Sequence, residues 1–265
     1  MKKRFILILT IVLLSCVMCV YVIGGMPGVY AWNLLVFIFA PIASLSLLPQ
    51  IVVYVVRFLK KKDTRWNLRY LLFSIAFSIP ITVLFGVGIL TYPTKANEAD
   101  TVSMLMPVEN PVLFGGREYI THSAWPSECY AYDILSEPYD IDSSDLTDYG
   151  IFGKNVIAPI SGLVIGVEDT EPDIPPNTED FTSSFGNYIF MEIEESKTYL
   201  ILAHLEVNSV KVSVGDYVQA GQIIAKVGNS GTTSEPHLHI QHQRNNPLNT
   251  AIPTLSEGLP IDFKE

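Results

Sequence analysis

Two histidines stand two residues apart in the run Pro236-His237-Leu238-His239-Ile240. On an extended strand, alternate side chains point to one face, so both imidazoles face the same way, a geometry that suits a metal site. The chain has five histidines, His122, His204, His237, His239 and His242, and all lie beyond residue 120. His242 falls one residue out of the alternation that pairs His237 with His239, so it is expected to face away as a surface histidine.

These residues must be carried by a folded domain, and charge shows where that domain begins. Residues 1–93 hold nine basic side chains against the single acid Asp63, whereas 94–265 hold 26 of the 27 acids and 8 of the 17 bases. The net charge of −10 therefore hides two opposite regions. An acidic second region argues against nucleic acid as a partner, because phosphate binding needs clustered Lys and Arg.

The basic region reads as three membrane spans, at about 5–23, 32–56 and 70–92, each near the roughly 20 residues needed to cross the hydrocarbon core. Pro80 and Gly86 in the third are tolerated where neighbouring helices satisfy the backbone. Lys2, Lys3 and Arg4 precede the first span, and six basic residues crowd the stretch 57–69 between the second and third. The positive-inside rule sets both on the cytoplasmic side, so three crossings put everything after Tyr92 outside. The expected location is the cell membrane, multi-pass, with an extracytoplasmic C-terminal domain. Residues 24–31 lack a small-residue cleavage site, so the first span is read as uncleaved. Leu13-Leu14-Ser15-Cys16 leaves lipidation of Cys16 as an alternative.

Residues 94–112 read as a linker and 113–265 as the domain. Cys129 is its single cysteine, so its stability must come from a packed core. Short apolar segments at 155–159, 162–167, 188–193, 198–205, 217–218 and 223–227, broken by Gly, Asn, Asp and Pro, indicate an all-β domain. The acidic, proline-bearing interval 168–184 is expected to be an exposed loop near the sheet edge. Asn187 and Asn229 read as turn formers beside glycine, and Tyr130, Tyr132 and Trp125 as packing or cleft walls.

Motifs in order carry a resemblance. Ala158-Pro159-Ile160-Ser161-Gly162, Gly186-Asn187-Tyr188, Ala203-His204-Leu205, Val214-Gly215-Asp216-Tyr217-Val218, Gly228-Asn229-Ser230-Gly231 and Pro236-His237-Leu238-His239 together resemble the M23 family of zinc metallopeptidases over roughly 120 residues. The resemblance implies a compact antiparallel β domain and cleavage of peptide bonds in bacterial peptidoglycan. It also implies a Zn2+ cofactor held by Asp133 and His239, with His204 and His237 as catalytic histidines that do not bind metal. Family members mostly carry a histidine four residues before the aspartate, where this chain has Cys129.

Two accounts of the third ligand follow. In one, His122 reaches the metal from upstream, as in a branch of the family with a displaced histidine; the run from Gly115-Gly116 to His122 fits that branch. In the other, the Cys129 thiolate is the donor, since residues four apart on a strand share a face. His122 is the preferred reading. The expected function is a membrane-anchored zinc metalloendopeptidase acting on peptidoglycan, with protein partners unnamed. An inactive M23 domain that binds cell wall or activates another hydrolase is the alternative. A biotinyl or lipoyl carrier domain is a weaker one, because no lysine occupies the matching hairpin.

Overall fold

A computed structural model describes residues 2–93, 100–115, 120–250 and 252–264. The chain divides into two compact units, Met1–Lys95 with Ala124–Pro126, and Ala96–Ser123 with Ser127–Glu265.

The first unit holds three helices long and apolar enough to cross a membrane: α1 (Arg4–Ile23), α2 (Gly25–Leu59) and α3 (Arg65–Leu84). The boundary between α1 and α2 falls at Gly24, whose φ of 70° lies in the left-handed region that a side chain disfavours. At 35 residues α2 is longer than the expected 32–56. The third helix also differs from the expected 70–92, starting at Arg65 and stopping at Leu84. Its apolar sequence continues, but Gly86 and Gly88 adopt φ of 62° and 66°, which ends the helix. A hydrogen bond joins α2 to α3 inside this apolar unit: Nε2 of Gln50 donates to Oγ of Ser74 (2.6 Å), and also to Oγ of Ser46 on its own helix (2.9 Å).

The second unit is built from β1 (Val102–Met104), β2 (Val112–Gly115), a one-turn helix α4 (Ile120–Ser123), β3 (Tyr132–Leu135), β4 (Asn155–Ile157), β5 (Gly162–Glu168), β6 (Asn187–Ile193), β7 (Thr198–Leu205), β8 (Tyr217–Val218), β9 (Ile223–Lys226), β10 (Leu238–Gln243) and β11 (Ile261–Phe263). Seven strands form one sheet in the order β2-β3-β10-β7-β6-β5-β8, every neighbouring pair antiparallel. The expected all-β class holds. One face of the sheet is the hydrophobic core, with Ile134, Ile189, Met191, Leu200, Leu202, Leu238 and Ile240 buried together. The opposite face carries the histidine cluster.

Two expectations are corrected. Residues 94–99 of the expected linker lie outside the described residues, but 100–112 belong to the fold. β1 pairs in parallel with β11, and Met104 and Val108 are buried in the core. Val102, Met104, Met106 and Val108 alternate with period two, which is a strand pattern.

The interval 168–184 is, as expected, a largely exposed loop, and it is tied down by two of its acids. Glu171 accepts from the backbone N–H of Thr182 (2.6 Å), and Asp173 accepts from those of Val207 (3.1 Å) and Asn229 (2.5 Å). Glu171 and Asp173 thus satisfy backbone donors, while Glu179 and Asp180 stay exposed.

His242 is the second correction, being 1% exposed. The alternation was right that it faces away from His239, but that opposite face is the core side. Nδ1 of His242 donates to the carbonyl of Pro260 (3.2 Å), so Nε2 is left to accept from the hydroxyl of Thr198 (2.7 Å).

Candidate metal centre

Strand register sets out the floor of the site. Tyr188 pairs with Ala203, Ala203 with His239, His239 with Asp133 and Asp133 with Phe114. One transverse row thus crosses five strands on the face away from the core. His239 and Asp133 become neighbours although 106 residues separate them. Small Ala203 keeps the floor low beside His239, and Tyr188 stacks on Phe190 (3.9 Å between centroids) to form an aromatic flank with Phe185.

Asp133 is the hub. Its Oδ2 lies 3.2 Å from Nε2 of His122, and its Oδ1 lies 3.0 Å from Nδ1 of His239 and 3.5 Å from Nε2 of His237. His122 comes from α4 and meets His239 edge to face, with ring centroids 5.1 Å apart. Among the described residues, His122, Asp133 and His239 form a group whose ligand atoms all lie within 4.8 Å of one another, and all three are buried. Two imidazole nitrogens and one carboxylate oxygen are the donors a three-ligand zinc site takes, so the residues fit that ion. Cys129 is not in the group. It lies buried in the turn before β3, so the argument that residues four apart share a strand face does not apply to it. Gly116, part of the context used to favour His122, is outside the described residues.

His204 arrives by a different device. Along β7, Leu200 and Leu202 face the core while Ile201 and Ala203 face the site, so strict alternation would bury His204 in the core. The register between β6 and β7 shifts at Asn187/Tyr188, and His204 adopts a left-handed φ of 61°. The extra residue turns the imidazole out to the site, and the following Leu205 returns to the core. The ring of His204 then lies 4.6 Å from that of His237 and 5.9 Å from that of His239, measured between centroids.

The stretch Gly228-Asn229-Ser230-Gly231 holds it there. Nδ1 of His204 faces the carbonyl oxygen of Ser230 at 2.8 Å, and since that oxygen can only accept, Nδ1 carries the proton. The Ser230 hydroxyl donates to the Leu205 carbonyl (2.8 Å) and accepts from the Asn187 N–H (2.9 Å), fixing that carbonyl. Gly186 and Gly231, both at positive φ, bring two backbones into direct contact; a Cβ on Gly186 would collide with the Ser230 carbonyl. Asn187 and Asn229, read as turn formers, are fully buried clasps. Nδ2 of Asn187 donates to the Glu171 and Leu205 carbonyls, and Nδ2 of Asn229 to that of Ile174. His237 repeats the logic of His204. Its Nδ1 donates to the carbonyl of Glu235 (2.8 Å), and its Nε2 lies towards Asp133.

Electrostatics follow from this packing. Burial pushes the Asp133 carboxyl up, but the charge of His237 and hydrogen bonds from His122 and His239 overcome it and hold the group well below the usual carboxylate range. His204 is driven well below the ordinary imidazole value by burial, with the neighbouring His237 and His239 adding to the shift. Burial also pulls His239 down, but the Asp133 carboxylate more than offsets it and raises the group. Glu128, absent from the sequence reading, adds charge here. It is partly buried in the turn before β3, its carboxyl is pushed up by burial, and it is electrostatically coupled to His239, His122 and Asp133. The sequence reading also missed Gln241 and Gln243, which share the face of His239 by alternation.

Residues 145–250 match the model of peptidase family M23. That segment contains His204, His237 and His239, while His122 and Asp133 lie upstream of it. Over 141 residues, 53% of this chain, the sequence is 43% identical to lysostaphin of Staphylococcus staphylolyticus and likewise to that of Staphylococcus simulans. The match covers 27% and 26% of those proteins, so the chain spans about a quarter of the length of the curated relatives it matches. Among solved structures, the lysostaphin catalytic domain of Staphylococcus simulans is similar with 21% identity and a TM-score of 0.33, over 58% of this chain and 86% of that one.

Proposed function

This chain carries a peptidase M23 domain, and from that premise we propose that it is a membrane-anchored zinc metalloendopeptidase hydrolysing peptide bonds of peptidoglycan. The observation that carries the reading is the His122–Asp133–His239 donor group, buried beside two further imidazoles whose Nδ1 protons are already committed to backbone carbonyls.

His122, Asp133 and His239 would hold the zinc. Bound there, zinc supplies Lewis acidity, lowering the pKa of a water to about 7 and polarising a carbonyl. The rest falls to the protein's own side chains. His204, kept neutral by burial, offers its Nε2 lone pair to a water proton. His237, when it carries a second proton on the Nε2 beside Asp133, donates a hydrogen bond to the oxyanion that develops on the scissile carbonyl. Tyr188, Phe190 and Phe185 border the floor on which an extended peptide would lie. The three apolar helices anchor the enzyme in the membrane, the domain facing outward, so that it acts only on polymer within reach.

The test uses the full chain in detergent, with zinc content and release of peptides from purified peptidoglycan as readouts. The parent is expected to hold one zinc and to cleave. His122→Ala and His239→Ala lose both, Cys129→Ala keeps both, and His204→Ala keeps zinc while losing on the order of 10²–10⁴ in rate. Zinc loss in Cys129→Ala but not in His122→Ala overturns the ligand assignment. A zinc-loaded parent that cleaves no wall type leaves an inactive cell-wall binder.

A further inference from the structure

His239 is held from both sides. Its Nδ1 meets Asp133, while its Nε2 lies 3.3 Å from Oε1 of Gln241. Gln241 and Gln243 follow at every second position of β10, on the same face, and are 1% and 2% exposed. Nε2 of Gln241 donates to Oε1 of Gln243 (2.6 Å), and Nε2 of Gln243 donates to the backbone carbonyl of Asn245 (2.5 Å).

The direction of this chain is set from its far end. A carbonyl oxygen can only accept, so Gln243 must turn its nitrogen to Asn245 and its oxygen back along the strand. Gln241 must then give its nitrogen to Gln243 and its oxygen to His239. An amide oxygen also only accepts, so Nε2 of His239 has to carry a proton. When the ring gives up the proton that Nδ1 shares with Asp133, the lone pair is left to Nδ1, the atom that faces Asp133. His204 and His237 are set the opposite way, with Nδ1 protonated by contact with backbone carbonyls.

We propose that Gln241, backed by Gln243, is a positioning residue that fixes His239 in the Nε2–H tautomer, so that Nδ1 is the atom offered to the metal. The inference rests on the zinc-site reading. Partners of this kind behind a metal-bound histidine typically change metal affinity about 10–100-fold when removed.

Two measurements on the full chain in detergent test it. In the first, zinc affinity is read by competition with a chelator of known strength, alongside thermal melting of each variant. Gln241→Met, of similar length but with no acceptor, is expected to bind zinc about 10–100-fold more weakly; Gln241→Glu, which keeps an oxygen at that reach, stays within about threefold of the parent. Unchanged affinity in a folded Gln241→Met variant overturns the proposal, as does an equal loss in both variants, which marks a packing role. The second needs no variant: nitrogen-15 histidine spectra of the zinc-loaded parent should show the His239 proton on Nε2, and a proton on Nδ1 with a bare Nε2 overturns the assignment. Failure of the parent to bind zinc at all sinks the site reading itself, and is thereby distinguishable from failure of Gln241 alone.

Discussion

His122, Asp133, His204, His237 and His239 meet at one point, and the hydrogen-bond partners behind them decide which ring nitrogen each histidine presents. Three of those partners are oxygens that can only accept, belonging to Ser230, Glu235 and Gln241. The fifth histidine, His242, serves the fold. Burial lowers its pKa to about 4, against an ordinary value of about 6.5. The unfolded chain therefore takes a proton as pH falls below about 6.5, while the folded chain stays neutral until about 4. Stability is full above the unfolded value and is lost as pH falls through this window, by on the order of 3 kcal/mol in total. Urea titrations at pH 7 and pH 4.5, followed by circular dichroism, should show a smaller pH-dependent loss in His242→Gln than in the parent. Identical pH dependence in the two proteins removes His242 from the explanation.

Among the elements, the β6–β7 irregularity matters most. It turns His204 out of the core and depends on the backbone contact of Gly186 with Ser230. Gly186→Ala adds a Cβ at φ 58° into the Ser230 carbonyl, so destabilisation of about 1–3 kcal/mol is expected. Because that carbonyl orients His204, peptide release should fall further than melting accounts for, while bound zinc is retained. A variant that melts and cleaves like the parent would falsify this role for the glycine pair. β10 is equally economical: its core face carries Leu238, Ile240 and His242, and its site face His239, Gln241 and Gln243. One strand thus supplies packing and the proposed ligand with its support.

For the whole molecule, the charge asymmetry and the three apolar helices lead to one expectation: the basic ends stay in the cytoplasm and the acidic unit is outside. Protease added to intact cells stripped of wall should remove the C-terminal unit and leave a membrane-protected fragment containing α1, α2 and α3. Full protection of the C-terminal unit, with digestion only after the membrane is opened, reverses the orientation. The placement also suits the chemistry proposed, since peptidoglycan lies on that side.

The sequence by itself determined what short-range patterns encode. Short apolar segments broken by turn residues marked the strands from 155 to 227, uncharged stretches marked the three helices, and His237-Leu238-His239 announced two imidazoles on one face. Tertiary structure decided what depends on contacts between distant residues. The choice of His122 over Cys129 for the donor group turned on where α4 and the turn before β3 bring their side chains. The outward aim of His204 turned on a register shift between two strands, which alternation along one strand cannot show. The burial of His242 and of Gln241 also lay beyond reach, because polar side chains read as exposed until the buried oxygens and hydroxyls that satisfy them are known.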